Sequence, residues 1–162
     1  GIELKITQAE RDFINAGSQM AYEVSGNTQK KLTSYGTVTL DGEQALTHSR
    51  NRSVGDDFTR AGRQREVIEA IMNKMSTMSL SQIWDMLDVF LQEVTTNINV
   101  IDYVGTITDV FMNKDEYLNN IISAQVPSKD YATGQYIDEI YYFVPSDVER
   151  MKQDMIEYLY KK

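Results

Sequence analysis

The sequence lacks cysteine entirely, and its 162 residues include one histidine, one tryptophan and two prolines. The absence of cysteine excludes disulfides, thiolate chemistry and cysteine-ligated zinc. It is compatible both with the cytoplasm and with an extracytoplasmic location. A single histidine, His48, is a candidate general base, but a histidine without an evident nucleophile is more often a packed or solvated residue.

Long apolar runs are also missing. The longest, Ile140 to Val144, is far shorter than the roughly 18 residues that a membrane span needs, and no signal peptide is visible. A content of 41% hydrophobic and 25% charged residues is ordinary for a globular domain. We therefore expect one domain over residues 1–162.

Positive charge is scarce and concentrated in one place. The chain carries 16 basic and 24 acidic residues, for a net charge of −8. Five of its seven arginines fall within residues 50–65, which we call the arginine cluster: Arg50, Arg52, Arg60, Arg63 and Arg65. With its two aspartates included, the stretch of residues 50–65 has a net charge of +3, which leaves −11 for the remainder of the chain. This distribution indicates a local anion-binding site in a chain that repels polyanions generally.

The residue type and spacing support an anion site. A guanidinium offers a rigid fork of donors that matches phosphate or carboxylate oxygens. The sequence predicts a helix that begins near Asp57, capped by Asp56 or Asp57. Arg60, Arg63 and Gln64 would then share one face over a single turn.

Two other interpretations fit part of the pattern. In the first, the arginines pair with acidic neighbours on a salt-bridged helix, as most surface charge runs do: Asp56, Asp57, Glu66 and Glu69. In the second, the cluster binds nucleic acid, but a sequence pI near 4.6 and the lack of a recognisable nucleic-acid-binding motif weigh against it. We expect no nucleic-acid partner.

Two strings lie around the cluster: residues 40–52 read LDGEQALTHSRNR and residues 55–67 read GDDFTRAGRQREV. They are similar to an L-x-G-x-x-A-L-x-x-x-R-x-R segment followed by a G-D-x-x-R-x-x-R-Q helix. In this paired pattern the chain resembles the LytR-CpsA-Psr family of bacterial cell-envelope proteins. One departure is His48, where family members usually carry tyrosine or phenylalanine.

The resemblance implies a site and an activity. The family's arginines and glutamine bind the pyrophosphate of a polyprenyl-linked glycan. By similarity Arg50, Arg52, Arg60 and Gln64 would be the catalytic, pyrophosphate-binding residues, with Arg63 a further contact and Asp57 an orienting residue. The family implies a glycopolymer transferase that attaches teichoic acid or capsule-type glycan to peptidoglycan, on the extracytoplasmic face of the membrane. A non-catalytic envelope regulator, the family's historical label, and a member that binds glycan lipid without chemistry are the alternatives.

The family also implies parts that this sequence does not show. The resemblance begins at a mid-domain strand, so the chain looks like the C-terminal portion of the catalytic domain. We expect the magnesium ligands and an N-terminal membrane anchor outside it, and no activity from this portion alone. The pairs Asp85 with Asp88 and Asp56 with Asp57 are weak metal candidates, because Mg²⁺ depends on substrate phosphates as co-ligands.

Periodicity predicts an α/β fold in which helices flank a central, mixed sheet. Strands are predicted at residues 2–6, 121–126 and 136–144, with loops at 26–36 and 127–135. Capping-box spacings at 7–10, 79–82 and 146–149 predict helix starts, and a further helix covers residues 101–111. The strand at 2–6 is a candidate for pairing with a second copy. Tyr131, Tyr136 and Tyr141 are candidates for carbohydrate stacking, although sheet packing is the simpler role.

Overall fold

The fold is described from a computed structural model that covers residues 1–95, 97, 100–119 and 123–160. The chain forms two compact units, Gly1–Asn119 and Asn120–Lys162, which are described separately. The first contains β1 (Ile2–Ile6), α1 (Gln8–Gly17), α2 (Gln19–Ser25), β2 (Gly36–Leu40), α3 (Gly42–Ser49), α4 (Asp57–Ser76), α5 (Leu80–Glu93), α6 (Val100–Met112) and α7 (Lys114–Asn119). The second contains β3 (Ala132–Ile137), β4 (Ile140–Pro145) and α8 (Val148–Tyr160). The expectation of one domain stays a prediction.

The first unit is built on an antiparallel pair of strands. β1 lies beside β2 in a register that places Ile2 opposite Leu40 and Ile6 opposite Gly36. Alternation along β1 buries Leu4 and Ile6, as the sequence predicted. Helices cover this face, and the core consists of Leu4, Ile6, Ile14, Leu40, Ala45 and Ala70. The α/β class is confirmed, although the described strands form two small antiparallel pairs where one central mixed sheet was expected.

Capping boxes start three helices of the first unit. Thr7 with Glu10 opens α1 and Ser79 with Gln82 opens α5, both as predicted. A capping box formed by Asp41 and Gln44 opens α3, a helix that was not predicted from the sequence. Strand β2, which pairs with β1, was not predicted either, because no helix or strand was assigned directly after the predicted loop at 26–36.

Two predicted helices differ in detail. The helix predicted to start after Thr7 ends at Gly17, with Ser18 as its C-cap, and a second short helix, α2, begins at Gln19. In α4 the start near Asp57 is confirmed, with Asp56 as the N-cap. Along the same helix Ile68 and Ile71 are largely exposed, at 56% and 41% of their surfaces.

In the second unit, the structure differs from three of the predictions. The strand predicted at 136–144 is a hairpin, because Asp138 and Glu139 adopt positive φ angles of 51° and 65° and reverse the chain. The final helix is capped by Asp147, whose Oδ1 accepts from the Arg150 amide at 2.9 Å. The predicted cap, Ser146, instead donates to Tyr131 O. Of the strand predicted at 121–126, residues 123–126 are not in a strand and residues 121–122 lie outside the described residues.

Gly55 and Gly62 provide a matched test of the local backbone around α4. Gly55 has φ of +85°, and a Cβ there would lie 2.8 Å from Thr59 Cβ and Oγ1. A Cβ on Gly62, within α4, meets nothing closer than 3.9 Å. We expect Gly55→Ala to lower the free energy of unfolding by at least about 1 kcal/mol, and Gly62→Ala to raise it by up to about 1 kcal/mol. Urea denaturation of both variants checks this, and equal effects would contradict it.

Candidate anion-binding site

The cluster's side chains are carried by three consecutive parts of the first unit. Arg50 closes α3 as its C-cap, Arg52 lies in the following loop, and Arg60 lies in the first turns of α4 with Gln64 one turn further on. Arg50, Arg52 and Gln64 are exposed, and Arg60 is partly exposed. The predicted helix therefore exists, and the arginines before it lie on a short connection between two helices.

Pairing with acidic neighbours explains only part of the cluster. Arg60 Nη1 lies 3.1 Å from Asp57 Oδ1, so Asp57 contacts an arginine of the cluster. Within the described residues, neither Arg50 nor Arg52 forms an ion pair with a carboxylate. The interpretation of a fully salt-bridged helix does not account for these two arginines, which remain available to an external anion.

Arg63 is placed differently from its neighbours. Only 2% of its side chain is exposed, and Nε donates to Glu10 Oε1 at 2.7 Å. Nη1 donates to Asn51 O at 3.0 Å, and Nη2 donates to Val54 O. Arg63 therefore points inward and does not share an exposed face with Gln64. This corrects the expectation, made from i, i+3 spacing alone, that the donors converge on one surface.

The loop between α3 and α4 is internally hydrogen bonded. We call residues 50–55 the arginine segment. Asn51 Oδ1 accepts from the Ser53 amide at 2.9 Å and from the Val54 amide at 3.2 Å. Because Arg63 binds the carbonyls of Asn51 and Val54, it holds the backbone on both sides of Arg52. The exposed arginine thus projects from a fixed piece of backbone.

Glu10 balances the buried guanidinium. Its second oxygen, Oε2, accepts from the Thr7 amide and hydroxyl, each at 2.9 Å. Burial tends to raise the pKa of Glu10, but the hydrogen bonds from the Thr7 amide and from Arg63 outweigh it, so the pKa lies below the usual 4.5. The carboxylate is therefore charged at neutral pH and pairs with Arg63.

His48 lies beside this pair and is 1% exposed. Its Nε2 is 3.9 Å from Glu66 Oε2, and within the described part of the chain neither ring nitrogen has a hydrogen-bond partner. Burial lowers the pKa of His48 below 6.5, although the carboxylates of Glu10 and Glu66 oppose the shift. His48 is a packed core residue, and its burial removes the geometric basis for a general base at the surface.

Two apolar grooves border α3. The first, of about 640 Å³, is lined by Arg50 and by apolar side chains that include Phe13, Met20, Val24 and Leu46. The second, of about 700 Å³, lies between the end of β2 and α4 and includes Ile2, Val67 and Met75. The first groove therefore joins an apolar surface to an arginine that has no carboxylate partner among the described residues.

The described residues supply no metal site. They contain no group of three or more histidine, aspartate or glutamate side chains that could hold a metal ion, and so Asp85 with Asp88 and Asp56 with Asp57 remain pairs without further ligands. None of the described helices is long and apolar enough to cross a membrane.

Tyr131 is also excluded from one predicted role. It is 5% exposed and its hydroxyl donates to Asp154 at 2.7 Å, so its ring is not available for carbohydrate stacking. Tyr136 and Tyr141 are exposed, with ring centroids 5.2 Å apart. Stacking on these two stays a prediction.

Comparison with known proteins identifies the chain's relatives. The sequence pattern of the LytR_cpsA_psr family matches residues 9–157. The chain belongs to the LytR-CpsA-Psr family. This confirms the resemblance carried by the strings at 40–52 and 55–67.

Curated relatives within the family are named as transferases. The chain is 31% identical over 115 residues to the polyisoprenyl-teichoic acid–peptidoglycan teichoic acid transferase TagT of Bacillus subtilis, covering 70% of this chain and 33% of that protein. It is 31% identical over 133 residues to TagU of Bacillus licheniformis, covering 80% of this chain and 40% of that protein. The chain spans less than half the length of these relatives.

Solved structures show the same fold. A structure described as TagT bound to LIIa-WTA matches with a TM-score of 0.62 and 22% identity, over 98% of this chain and 53% of that one. The crystal structure of B. subtilis TagT matches with a TM-score of 0.59 and 20% identity, over 98% and 52%. The LytR-CpsA-Psr fold assignment is thereby confirmed.

Sequence reasoning missed two residues of this region, Glu10 and Asn51. Asn51 carried a local signal, since an asparagine before Ser53 and Gly55 is typical of a side chain that bonds the backbone two residues on. Glu10 carried none for this role, because its partner Arg63 is 53 positions away.

His48 generates a pH-dependent prediction. Because its pKa is lower in the folded protein, the unfolded chain binds a proton more readily, and the free energy of unfolding falls as pH decreases through about 6.5. We expect His48→Phe, which has no ionisable group, to lose this dependence between about pH 7.5 and 5.5. Glu10 stays charged in that window. Urea denaturation across the range measures the slopes, and equal slopes for both proteins would contradict the prediction.

Proposed function

We propose that the protein to which this chain belongs transfers a glycopolymer of the teichoic acid or capsule type from a polyprenyl pyrophosphate carrier to peptidoglycan. The observation that carries the proposal is that Arg50 and Arg52 are exposed, lack carboxylate partners within the described residues, and project from backbone fixed by buried contacts. Family membership and the names of the relatives support it. The proposed location is the extracytoplasmic face of the cell membrane, with an N-terminal membrane anchor.

The reaction proposed is a phosphoryl transfer. A hydroxyl of peptidoglycan attacks the glycan-bearing phosphorus and loses its proton to solvent water. The bond from that phosphorus to the bridging oxygen breaks, and polyprenyl phosphate leaves with the electron pair. Negative charge grows on the leaving phosphate, and fixed guanidinium donors stabilise it more strongly than they stabilise the ground state. We assign Arg50, Arg52 and Arg60 to this role, with Gln64 as an uncharged donor and Asp57 as the residue that orients Arg60.

The side chains, more than the helix terminus, supply the positive field. Asp56 Oδ1 accepts from the Thr59 amide at 2.8 Å, so a carboxylate already caps the N-terminus of α4. An incoming phosphate would meet that negative charge, which reduces the benefit of the helix dipole. The anion site therefore depends on the arginines.

The first groove is proposed to hold part of the apolar carrier. Its walls are formed by residues of α1, α2 and α3, and Arg50, which also lines it, would lie where the pyrophosphate joins the prenyl chain. Burial of prenyl carbons there stabilises binding by about 0.8 kcal/mol per CH₂. The ligand class is thus an anionic head group with an apolar tail.

Magnesium is proposed as a cofactor of the whole protein, where it would neutralise phosphate charge. The described residues do not provide a ligand set for it. We therefore assign none of them to the metal and derive no step from it.

The anion site is tested by binding of inorganic pyrophosphate. We expect Arg50→Ala and Arg52→Ala each to weaken binding by roughly tenfold to a hundredfold, since a hydrogen bond to a charged group contributes about 1.5 to 3 kcal/mol. Arg11→Ala is the matched control, because Arg11 pairs with Asp12 outside the cluster. Calorimetry measures the affinities, and unchanged binding in both cluster variants would reject the site.

The groove is tested by comparing farnesyl pyrophosphate with inorganic pyrophosphate. Val24 lines the first groove and is 84% exposed, so Val24→Asp leaves the core intact. We expect it to weaken farnesyl pyrophosphate binding by about threefold to tenfold and to leave inorganic pyrophosphate binding unchanged. Ile68→Asp is the control, since Ile68 is 56% exposed and lines neither groove. Equal effects of the two variants would contradict this placement of the tail.

A further inference from the structure

The side chain of Arg63 has no donor group directed at solvent. It is 2% exposed, and Nε, Nη1 and Nη2 each donate to an acceptor of the protein itself. A buried guanidinium that satisfies three acceptors would have to break these bonds to reach an external phosphate. Arg63 is therefore unsuited to direct contact with an anion.

The acceptors that Arg63 binds lie on either side of an exposed arginine. Asn51 O and Val54 O flank Arg52 and Ser53, and the Asn51 side chain closes the same turn through the Ser53 and Val54 amides. A lysine has one compact ammonium group and does not reproduce the planar fork. Loss of the fork leaves two carbonyls of this short segment without their donor.

Glu10 makes the inward position of Arg63 possible. A buried guanidinium without a counter-charge is strongly unfavourable, and Glu10 Oε1 accepts from Nε at 2.7 Å. Glu10 is itself fixed by the Thr7 amide and hydroxyl at the start of α1. The contacts of Glu10 and Arg63 thus connect α1, the arginine segment and α4.

We propose that Arg63 and Glu10 are positioning residues for the anion site: they fix the backbone of the arginine segment so that Arg50 and Arg52 project together. The inference rests on the proposed function for the identity of the anion. It differs from a direct role, because Arg63 acts through the carbonyls of Asn51 and Val54. The arginine segment is then ordered before the ligand arrives, which lowers the entropic cost of binding.

The test compares Arg63→Lys with Arg11→Lys in the whole chain. Both keep the charge, and the second makes the same chemical change outside the arginine cluster, at a residue that pairs with Asp12. We expect Arg63→Lys to accelerate hydrogen exchange of the Ser53 and Val54 amides and to weaken inorganic pyrophosphate binding, each by at least about tenfold. Arg11→Lys changes neither. Amides of the β1–β2 ladder report global opening and should exchange as in the unaltered protein.

Glu10→Gln provides a second route to the same result. One of the two oxygens becomes an amide nitrogen, so either the Thr7 amide or Arg63 Nε loses its acceptor. This variant keeps every arginine and is used if Arg63→Lys does not fold. We expect faster exchange at Ser53 and Val54 and weaker pyrophosphate binding, in the same direction as for Arg63→Lys.

The outcomes separate this inference from the proposed function. Weaker binding with unchanged exchange at Ser53 and Val54 would make Arg63 a direct contact and overturn the inference. Faster exchange with unchanged binding would overturn it too, since the fixed segment would then not matter to the anion. If the unaltered protein binds no pyrophosphate, both proposals fail together; if it binds and Arg63→Lys binds equally, only the inference fails.

Discussion

The buried guanidinium of Arg63 is the contact on which the candidate site depends. It joins a carboxylate of α1 to two backbone carbonyls of the arginine segment, and it does so from within α4. These elements are distant in sequence, and the segment between α3 and α4 is too short to form its own core. An interaction of this kind is sensitive to the loss of either partner, because the remaining charge stays buried. The arrangement of the exposed arginines therefore depends on a buried arginine, Arg63.

The chain also shows how an acidic protein can keep exposed positive charge in one place. Most of its negative charge lies outside residues 50–65, and the cluster keeps two arginines unneutralised by any described carboxylate. The acidic partners that do occur are specific: Glu10 neutralises Arg63, and Asp57 contacts Arg60. Charge neutralisation is thus selective, and it leaves positive side chains at the end of α3 and in the loop that follows.

The sequence predicted the features that depend on local order. The capping boxes at Thr7 and Ser79, the strand at 2–6 and the start of α4 follow from spacing within a few residues, and the structure confirms them. The inward turn of Arg63 depends on a partner 53 positions away, which spacing on one helix does not report. The hairpin turn at Asp138 and Glu139 was missed because the turn contains no glycine or asparagine, and a positive φ at a glutamate such as Glu139 is uncommon. The short second sheet was therefore read as a single strand.

The two carboxylate oxygens of Glu10 make different contacts. One oxygen caps the first turn of α1, and the other pairs with Arg63. A mutation at position 10 therefore disturbs a helix terminus and a distant loop at once. Because each side chain is the buried charge partner of the other, the effects of substitutions at positions 10 and 63 are coupled and do not simply add.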